Sequence, residues 1–311
     1  MLRRLAVFAI ILLVLVGGCA RLPRTGHTTL KPTNLAQLHG QLLRHKSVLD
    51  EFRLRGPFGV VTQQNYPLNL PDGEAIAADL YLSAPAEKTS LVIFLHGLDN
   101  SKEDHAYQAW HVASWGMHSM VLQLPNQGPW VENGRTLARI VDYIYRRPEV
   151  VDRRIDVSRI ILVGHSYGGT AAAIAMAEGA PAASGILLDP AGIGQNLPKF
   201  LSQINRPVLV LGADERVSQT RDRDYFYTFI RNGVAEISIA GAAHTDAQYP
   251  AELPMQLFAS NSADNEEMQI TFVSAITSGV FSFSATGKFD YAWASFGDAI
   301  RSGRIFNAKK K

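Results

Sequence analysis

Four aliphatic residues, Ile160-Ile161-Leu162-Val163, run straight into Gly164-His165-Ser166-Tyr167-Gly168-Gly169 and then into a small-residue segment over 170–177. No other stretch constrains the fold as tightly. The apolar run suits a strand buried on both faces of a parallel sheet, and the alanine-rich segment suits a helix. The connection between them is a single sharp turn. Side chains two residues either side of its apex would collide with the strand and the helix, which explains glycine at 164 and 168. Ser166 stands at the apex, at the C-terminal edge of the strand and the N-terminal end of the helix. Gly164-x-Ser166-x-Gly168 between strand and helix is the nucleophile-elbow pattern. The competing reading is a glycine-rich strand-to-helix turn of purely structural use.

The rest of the chain agrees with α/β layering. Alternation predicts early strands over 58–63 and 75–82, joined through the turn Pro71-Asp72-Gly73. The unbroken apolar run over 91–95 predicts a strand buried on both faces. Helical and strand patterns then alternate over 106–115, 119–124, 137–145, 159–163, 170–177, 185–188, 208–211, 225–230 and 235–239. Such alternation predicts an α/β fold with a doubly wound, mostly parallel sheet and right-handed crossovers. Between Asp189 and Pro207 there is room for a loop and a short helix, so no large cap domain is expected there. Residues 270–283 read as a helix closing one face of the sheet. Residues 289–306 read as another, with Trp293, Phe296 and Ile300 on one side.

Composition bounds the partners. The 311 residues are 47% hydrophobic and 19% charged, and the formal charge of +2 comes with no basic stripe. No nucleic-acid partner is expected on that basis, and Lys309-Lys310-Lys311 reads as a solvated tail.

The N-terminal end reads separately. Arg3 and Arg4 precede a continuous apolar stretch over 5–16 that is too short for a comfortable membrane span. Val16-Gly17-Gly18-Cys19 follows, and Cys19 is the only cysteine, so it serves no intrachain disulfide. This arrangement resembles a bacterial lipoprotein signal over 1–18. The resemblance implies cleavage before Cys19, a lipid on its sulfur, acylation of the new amino terminus and hence a membrane partner. Several acyl chains make a stable anchor at ~0.8 kcal/mol per buried CH₂. Ala20, in place of an aspartate, points by analogy with Gram-negative sorting to the outer membrane. A plain signal peptide or uncleaved anchor with an incidental cysteine is the alternative. Residues 19–34, with Pro23, Gly26 and Pro32, read as a tether. Leu35, Leu38, Leu42, Leu49 and Phe52 place an N-terminal helix over 35–55, leaving 56–311 as the main domain.

A serine nucleophile needs a base, and the base needs an orienting group. Histidine is the usual base because it titrates near neutral pH. Of the nine histidines, His244 follows the last strand pattern at the end of Gly241-Ala242-Ala243, a small-residue loop that lets an imidazole reach the serine. His165 reads as packing, and His105, His111 and His118 as ordinary polar residues on a helix or the surface. Two aspartates stand at C-terminal strand edges, Asp189 after 186–188 and Asp214 after 208–211, with Glu215 a third option. Either aspartate could accept the histidine Nδ1–H. An oxyanion hole needs two backbone donors. Tyr167, directly after the serine, offers one. Leu98 offers the other, in a loop that Gly97 allows to turn and that His96 holds. Trp130 either walls the pocket or is a core aromatic. No HExxH, zinc-cysteine cluster, GxxxxGK[ST] or Rossmann GxGxxG is present, so neither metal nor cofactor is expected.

The elbow, the His96-Gly97-Leu98 loop, Leu188-Asp189-Pro190 and His244-Thr245-Asp246 together resemble the α/β-hydrolase superfamily. Within it the chain is similar to the group of platelet-activating-factor acetylhydrolases, chlorophyllase-like and dienelactone-hydrolase-like enzymes. That resemblance covers residue 56 to the final helices and implies a cofactor-independent serine hydrolase of small-molecule or lipid carboxylic esters. It also selects Asp189 as the triad acid, whereas cutinase-like polyester hydrolases would select Asp214. The loop Pro125-Asn126-Gln127-Gly128-Pro129-Trp130 departs from the acetylhydrolase pattern, so substrate preference does not carry over. An acyltransferase or amidase on the same triad, or a non-catalytic binding lipoprotein, are the rival functions.

Overall fold

The structure is a computed structural model, and it describes residues 34–44, 48–217, 222–231, 233–249 and 262–311. The signal segment, Cys19 and the tether up to residue 33 lie outside the described residues. The main body is a nine-stranded sheet of order β1-β2-β4-β3-β5-β6-β7-β8-β9. β1 (Val60–Asn69) and β2 (Ala75–Ser83) form a hairpin, and β2 continues antiparallel onto β4 (His118–Leu122). From β4 onward through β3 (Thr89–Leu95), β5 (Ile155–His165), β6 (Ser184–Leu188), β7 (Val208–Gly212) and β8 (Val234–Ile239) every pairing is parallel. Every residue of β3, β4, β6, β7 and β8 is buried. Helices cover such strands on both faces, which is why they read as unbroken apolar runs.

Strand order reverses between β3 and β5. Chain order moves from β3 to β4 on one side, then crosses back to place β5 on the other. In open α/β sheets that switch point opens a crevice at the carboxyl ends of the strands, where ligands bind. β3 leads into the His96 loop there, and β5 into Ser166.

The helices are set by close packing. α3 (Trp130–Arg146) lies against α4 (Tyr167–Ala177) so tightly that a Cβ at Gly134 would come within 2.7 Å of Ile174. α7 (Ser262–Thr286) packs its Gly279 against Ile186 and Leu209. Its apolar stretch Asn265–Thr286 is long enough to cross a membrane, yet 89% of the defining window is buried within the protein, as in a core helix. The shorter α2 (Ala106–Ser114), α5 (Leu197–Leu201) and α6 (Arg223–Phe229) fill the remaining crossovers, and no cap interrupts the described connections. Each large aliphatic or aromatic side chain buried in this way contributes about 1.5–3 kcal/mol.

Four expectations need correction. The helix expected over 35–55 is instead α1 (Leu35–Leu42) and a separate 3₁₀ turn, Leu49–Arg53. Val48 enters that turn with an extended backbone, φ −130° and ψ 141°, which no continuous helix allows. The helix expected over 289–306 ends at α8 (Asp290–Arg301), where Gly303 turns the chain at φ 77°. In α8 Phe296 is buried while Ile300 is exposed. The lysine tail is not a solvated end: Ile305–Lys310 forms β9, antiparallel to β8. Its buried Ile305 anchors it and its lysines face an edge, as an outer strand requires. Finally, His111 lies on α2 as expected, but His105, His111 and His118 are all buried and none is on the surface. His111 pairs with Thr277 and the Leu54 carbonyl, His118 accepts the Ser83 N–H, and His105 pairs with Gln108.

Candidate active site

Ser166 sits between β5 and α4 at φ 54°, ψ −126°, a conformation that costs a non-glycine residue about 1–3 kcal/mol. The surrounding backbone holds it there. Its N–H donates to Leu188 O at 3.0 Å, and its own carbonyl accepts from Gly169, Thr170 and Ala191. The flanking glycines are required by space. A Cβ at Gly164 would lie 2.3 Å from Gly168 O, and one at Gly168 would lie 2.3 Å from His96 O. The second contact locks the elbow to the loop after β3.

That loop presses on Ser166. A Cβ at Gly97 would stand 2.8 Å from Ser166 Cβ. His96 braces the turn: Nδ1 pairs with Gly97 O at 3.0 Å, and Nε2 lies 3.0 Å from both Leu124 O and Gln123 Nε2. Burial holds this imidazole neutral by lowering its pKa. Asp99 (φ 57°) continues the turn and donates its N–H to Asn126 O. Leu98 therefore lies one residue beyond the contact with Ser166. Tyr167 is the first residue of α4, where an N–H has no acceptor within the helix and the helix dipole favours negative charge. Its ring stacks on half-buried Trp130, with centroids 5.3 Å apart and planes inclined by 11°. Trp130 is thus half-buried against Tyr167 at the start of α3 and is not a core aromatic.

His244 comes from the loop after β8. Gly241 (φ 74°) turns the chain, and Asp246 Oδ2 accepts the Ala243 N–H at 2.7 Å. His244 Nδ1 then donates to Asp189 Oδ2 at 2.6 Å. Its carbonyl accepts from His165 Nε2 at 3.0 Å, and the two rings lie 4.5 Å apart. Burial, with the neighbouring His244, keeps His165 neutral, so His165 acts as a support for the His244 backbone.

Asp189 is fully buried at the end of β6 and adopts φ 38°, which turns its side chain along the sheet edge. Oδ1 accepts from Ala213 N–H at 3.0 Å and Arg223 Nη1 at 3.0 Å. Burial opposes its charge, but the His244 hydrogen bond and the charges of His244 and Arg223 outweigh that and hold it well below the usual carboxylate range. Asp214 is engaged elsewhere. Its Oδ1 accepts Arg216 Nε at 2.9 Å, its Oδ2 accepts Gly241 N–H at 2.7 Å, and its own N–H donates to Ala242 O. It secures the loop leading to His244, and the Arg216 hydrogen bond is the main cause of its lowered pKa. Glu215 binds Arg223 at 2.5 Å.

Sequence reasoning missed Arg223, since one arginine in a short helix carries no signal of burial. The single hint is Gly212, where a Cβ would lie 1.9 Å from the guanidinium. Among the described residues, Glu215, Asp224 and Glu236 bring ligand atoms within 4.8 Å of one another. Arg223 and Lys309 already ion-pair with all three. The arrangement as a whole offers a hydroxyl on a strained turn, an imidazole paired with an ionised carboxylate, and helix-end amides. These are the parts of acyl transfer through a covalent intermediate.

The sequence profile of the Alpha/beta hydrolase family matches residues 92–298, from β3 into α8. Comparison with curated proteins returns no match.

Proposed function

The chain belongs to the alpha/beta hydrolase family, and from that premise we propose that it is a cofactor-independent serine hydrolase of carboxylic esters. Ser166 attacks the ester carbonyl while His244 takes its proton, and Asp189 orients His244 and stabilises the imidazolium. The Leu98 and Tyr167 amides receive the oxyanion, where one such donor is typically worth about 10²–10³ in rate. The alcohol leaves with the proton from His244, and water activated by the same imidazole hydrolyses the acyl-enzyme. One observation carries this proposal: His244 Nδ1 lies 2.6 Å from an Asp189 that is buried and ionised, while Asp214 is occupied by Arg216 and Gly241. The stacked Trp130 and Tyr167 rings form an apolar flank beside the nucleophile, suited to the hydrocarbon part of a small-molecule or lipid ester. The same residues support a place near the acetylhydrolase, chlorophyllase-like and dienelactone-hydrolase-like group. On the sequence of residues 1–19 we further propose an envelope lipoprotein, acylated at Cys19 and held on a bacterial membrane, by preference the outer one.

The test uses full-length protein in detergent with a fluorophosphonate probe and short p-nitrophenyl esters. Wild type should label and turn over, and Ser166→Ala should do neither. His244→Ala and Asp189→Asn should lower kcat by about 10⁴, and Asp214→Asn far less. A wild type that neither labels nor turns over overturns the enzyme reading. Amide turnover or acyl transfer to an alcohol in preference to ester hydrolysis would move the chain to the amidase or acyltransferase class. Loss of activity in Asp214→Asn but not in Asp189→Asn would reassign the acid. Metabolic palmitate labelling that is absent from wild type, or that survives Cys19→Ala, would overturn acylation at Cys19.

A further inference from the structure

Arg223 is 2% exposed and reaches from the start of α6 to the back of Asp189. All three guanidinium nitrogens are engaged. Nη1 donates to Asp189 Oδ1 at 3.0 Å and Ala213 O at 2.8 Å, and Nε donates to Glu236 Oε1 at 3.0 Å. Nη2 donates to Glu215 Oε1 at 2.5 Å and Ser238 Oγ at 2.9 Å. Gly212 opens the passage for it, as any Cβ there would overlap Nη1. The preceding residue, Asp222, accepts the Gly192 N–H at 3.1 Å. Two consecutive residues therefore grip the segment after β6, one at Asp189 and one three residues further on.

Stability alone does not call for this arrangement. A buried arginine with its carboxylates can often be replaced by apolar side chains at no loss of stability, because desolvating the charges offsets their attraction. What the guanidinium does locally is directional. A carboxylate whose Oδ1 is taken by two donors cannot rotate freely, and only Oδ2 is left to face the loop after β8. Resting on the serine-hydrolase reading, we propose that Arg223 is the positioning residue of this site: it clamps Asp189 by one oxygen so that the other meets His244 Nδ1, and it tempers the negative charge that His244 experiences. Among the described residues, the following charged and titratable groups surround this pair. His165 and the loop residue Asp246 flank His244. Glu215, Glu236 and, through Glu236, Lys309 on β9 stand behind Arg223.

The experiment is a double-mutant cycle on full-length protein with a p-nitrophenyl ester, comparing wild type, Arg223→Met, Asp189→Asn and the double variant, with Ser166→Ala as blank. Arg223→Met should lower kcat about 10-fold or more with KM nearly unchanged. The acidic limb of its kcat/KM profile should move to higher pH, because an untempered Asp189 favours the protonated imidazole. The double variant should be no slower than Asp189→Asn, since Arg223 acts only through that carboxylate. A double variant slower by the full Arg223→Met factor, or an unmoved acidic limb, overturns the inference. Arg223→Lys keeps the charge but loses the fork: kcat should fall while the acidic limb stays in place, and wild-type kcat in this variant would also overturn the inference. If Arg223→Met does not fold, the cycle is run with Arg223→Lys and read on kcat alone: a double variant slower by the full Arg223→Lys factor overturns the inference. An inert wild type overturns the serine-hydrolase reading itself, whereas an active wild type with an additive cycle overturns only the role of Arg223.

Discussion

Gly97→Ala isolates the contact between the loop after β3 and Ser166, the proposed nucleophile. Gly97 has no unusual φ, so alanine is acceptable to its backbone and the perturbation is purely one of space. The new methyl would lie 2.8 Å from Ser166 Cβ, with His165 O at 3.2 Å and Asn100 Nδ2 at 3.4 Å. Carbon atoms rest about 3.5–4.0 Å apart, so the two backbones must separate by about 1 Å. The elbow cannot give way, because Ser166 is pinned through Leu188, Gly169, Thr170 and Ala191. The loop moves, and the Leu98 amide moves with it. A displacement of about 1 Å at reacting groups costs about 10²-fold, at the lower end of the loss from removing one oxyanion donor, about 10²–10³. We therefore expect kcat for p-nitrophenyl acetate to fall about 10²-fold, the fluorophosphonate labelling rate to fall in parallel and the circular-dichroism melt to change little. Gly59→Ala, whose Cβ would meet Ala84 at an ordinary 3.8 Å, is the matched control and should be silent. Wild-type kcat in Gly97→Ala would refute both the tight contact and the assignment of Leu98.

Two further outcomes follow from other parts of the structure. Burial pushes His105, His111 and His118 down to about 4, below their unfolded value of 6.5. The unfolded chain then binds more protons than the native one between about pH 4 and 6.5, so stability should fall as pH drops through that window. Each histidine should cost about 2 kcal/mol between pH 7 and 5, and urea titrations that gave the same stability at both pH values would contradict three neutral buried imidazoles. Trp130→Ala removes the ring stacked on Tyr167. A butyryl chain carries two methylenes more than acetyl, each worth about 0.8 kcal/mol when buried, so losing this apolar wall should lower the preference for butyrate over acetate esters, read as the ratio of kcat/KM, by up to about 15-fold. An unchanged ratio would place the acyl chain elsewhere.

Much of the fold was legible because its signals are short-range. Buried parallel strands announce themselves as aliphatic runs, and the elbow as two glycines four residues apart around a serine. Legibility failed where an element depends on what covers it. The lysines at 309–311 read as a tail until β8 offers an edge for them to pair with. His111 and His118 read as ordinary polar residues on a helix or the surface until α7 and the segment after the 3₁₀ turn meet the one and the end of β2 meets the other. For the proposed triad acid, both aspartates end strands, and chain order allows either one. A local clue did exist in Arg216, two residues after Asp214, which satisfies that carboxylate from within its own loop.

By itself, then, the sequence determined the layering, the strained turn at Ser166 and the small-residue loop that carries His244. Each of these follows from sterics and hydrophobic periodicity within a few residues. Tertiary structure decided the partnerships. His244 meets Asp189 across 55 residues of chain, and Arg223 meets Asp189 across 34. Those distances are closed by the register of β6, β7 and β8 and by the missing side chain at Gly212. No local pattern encodes which carboxylate a distant imidazole will face, because that choice is made by how neighbouring strands align and by what fills the space behind them.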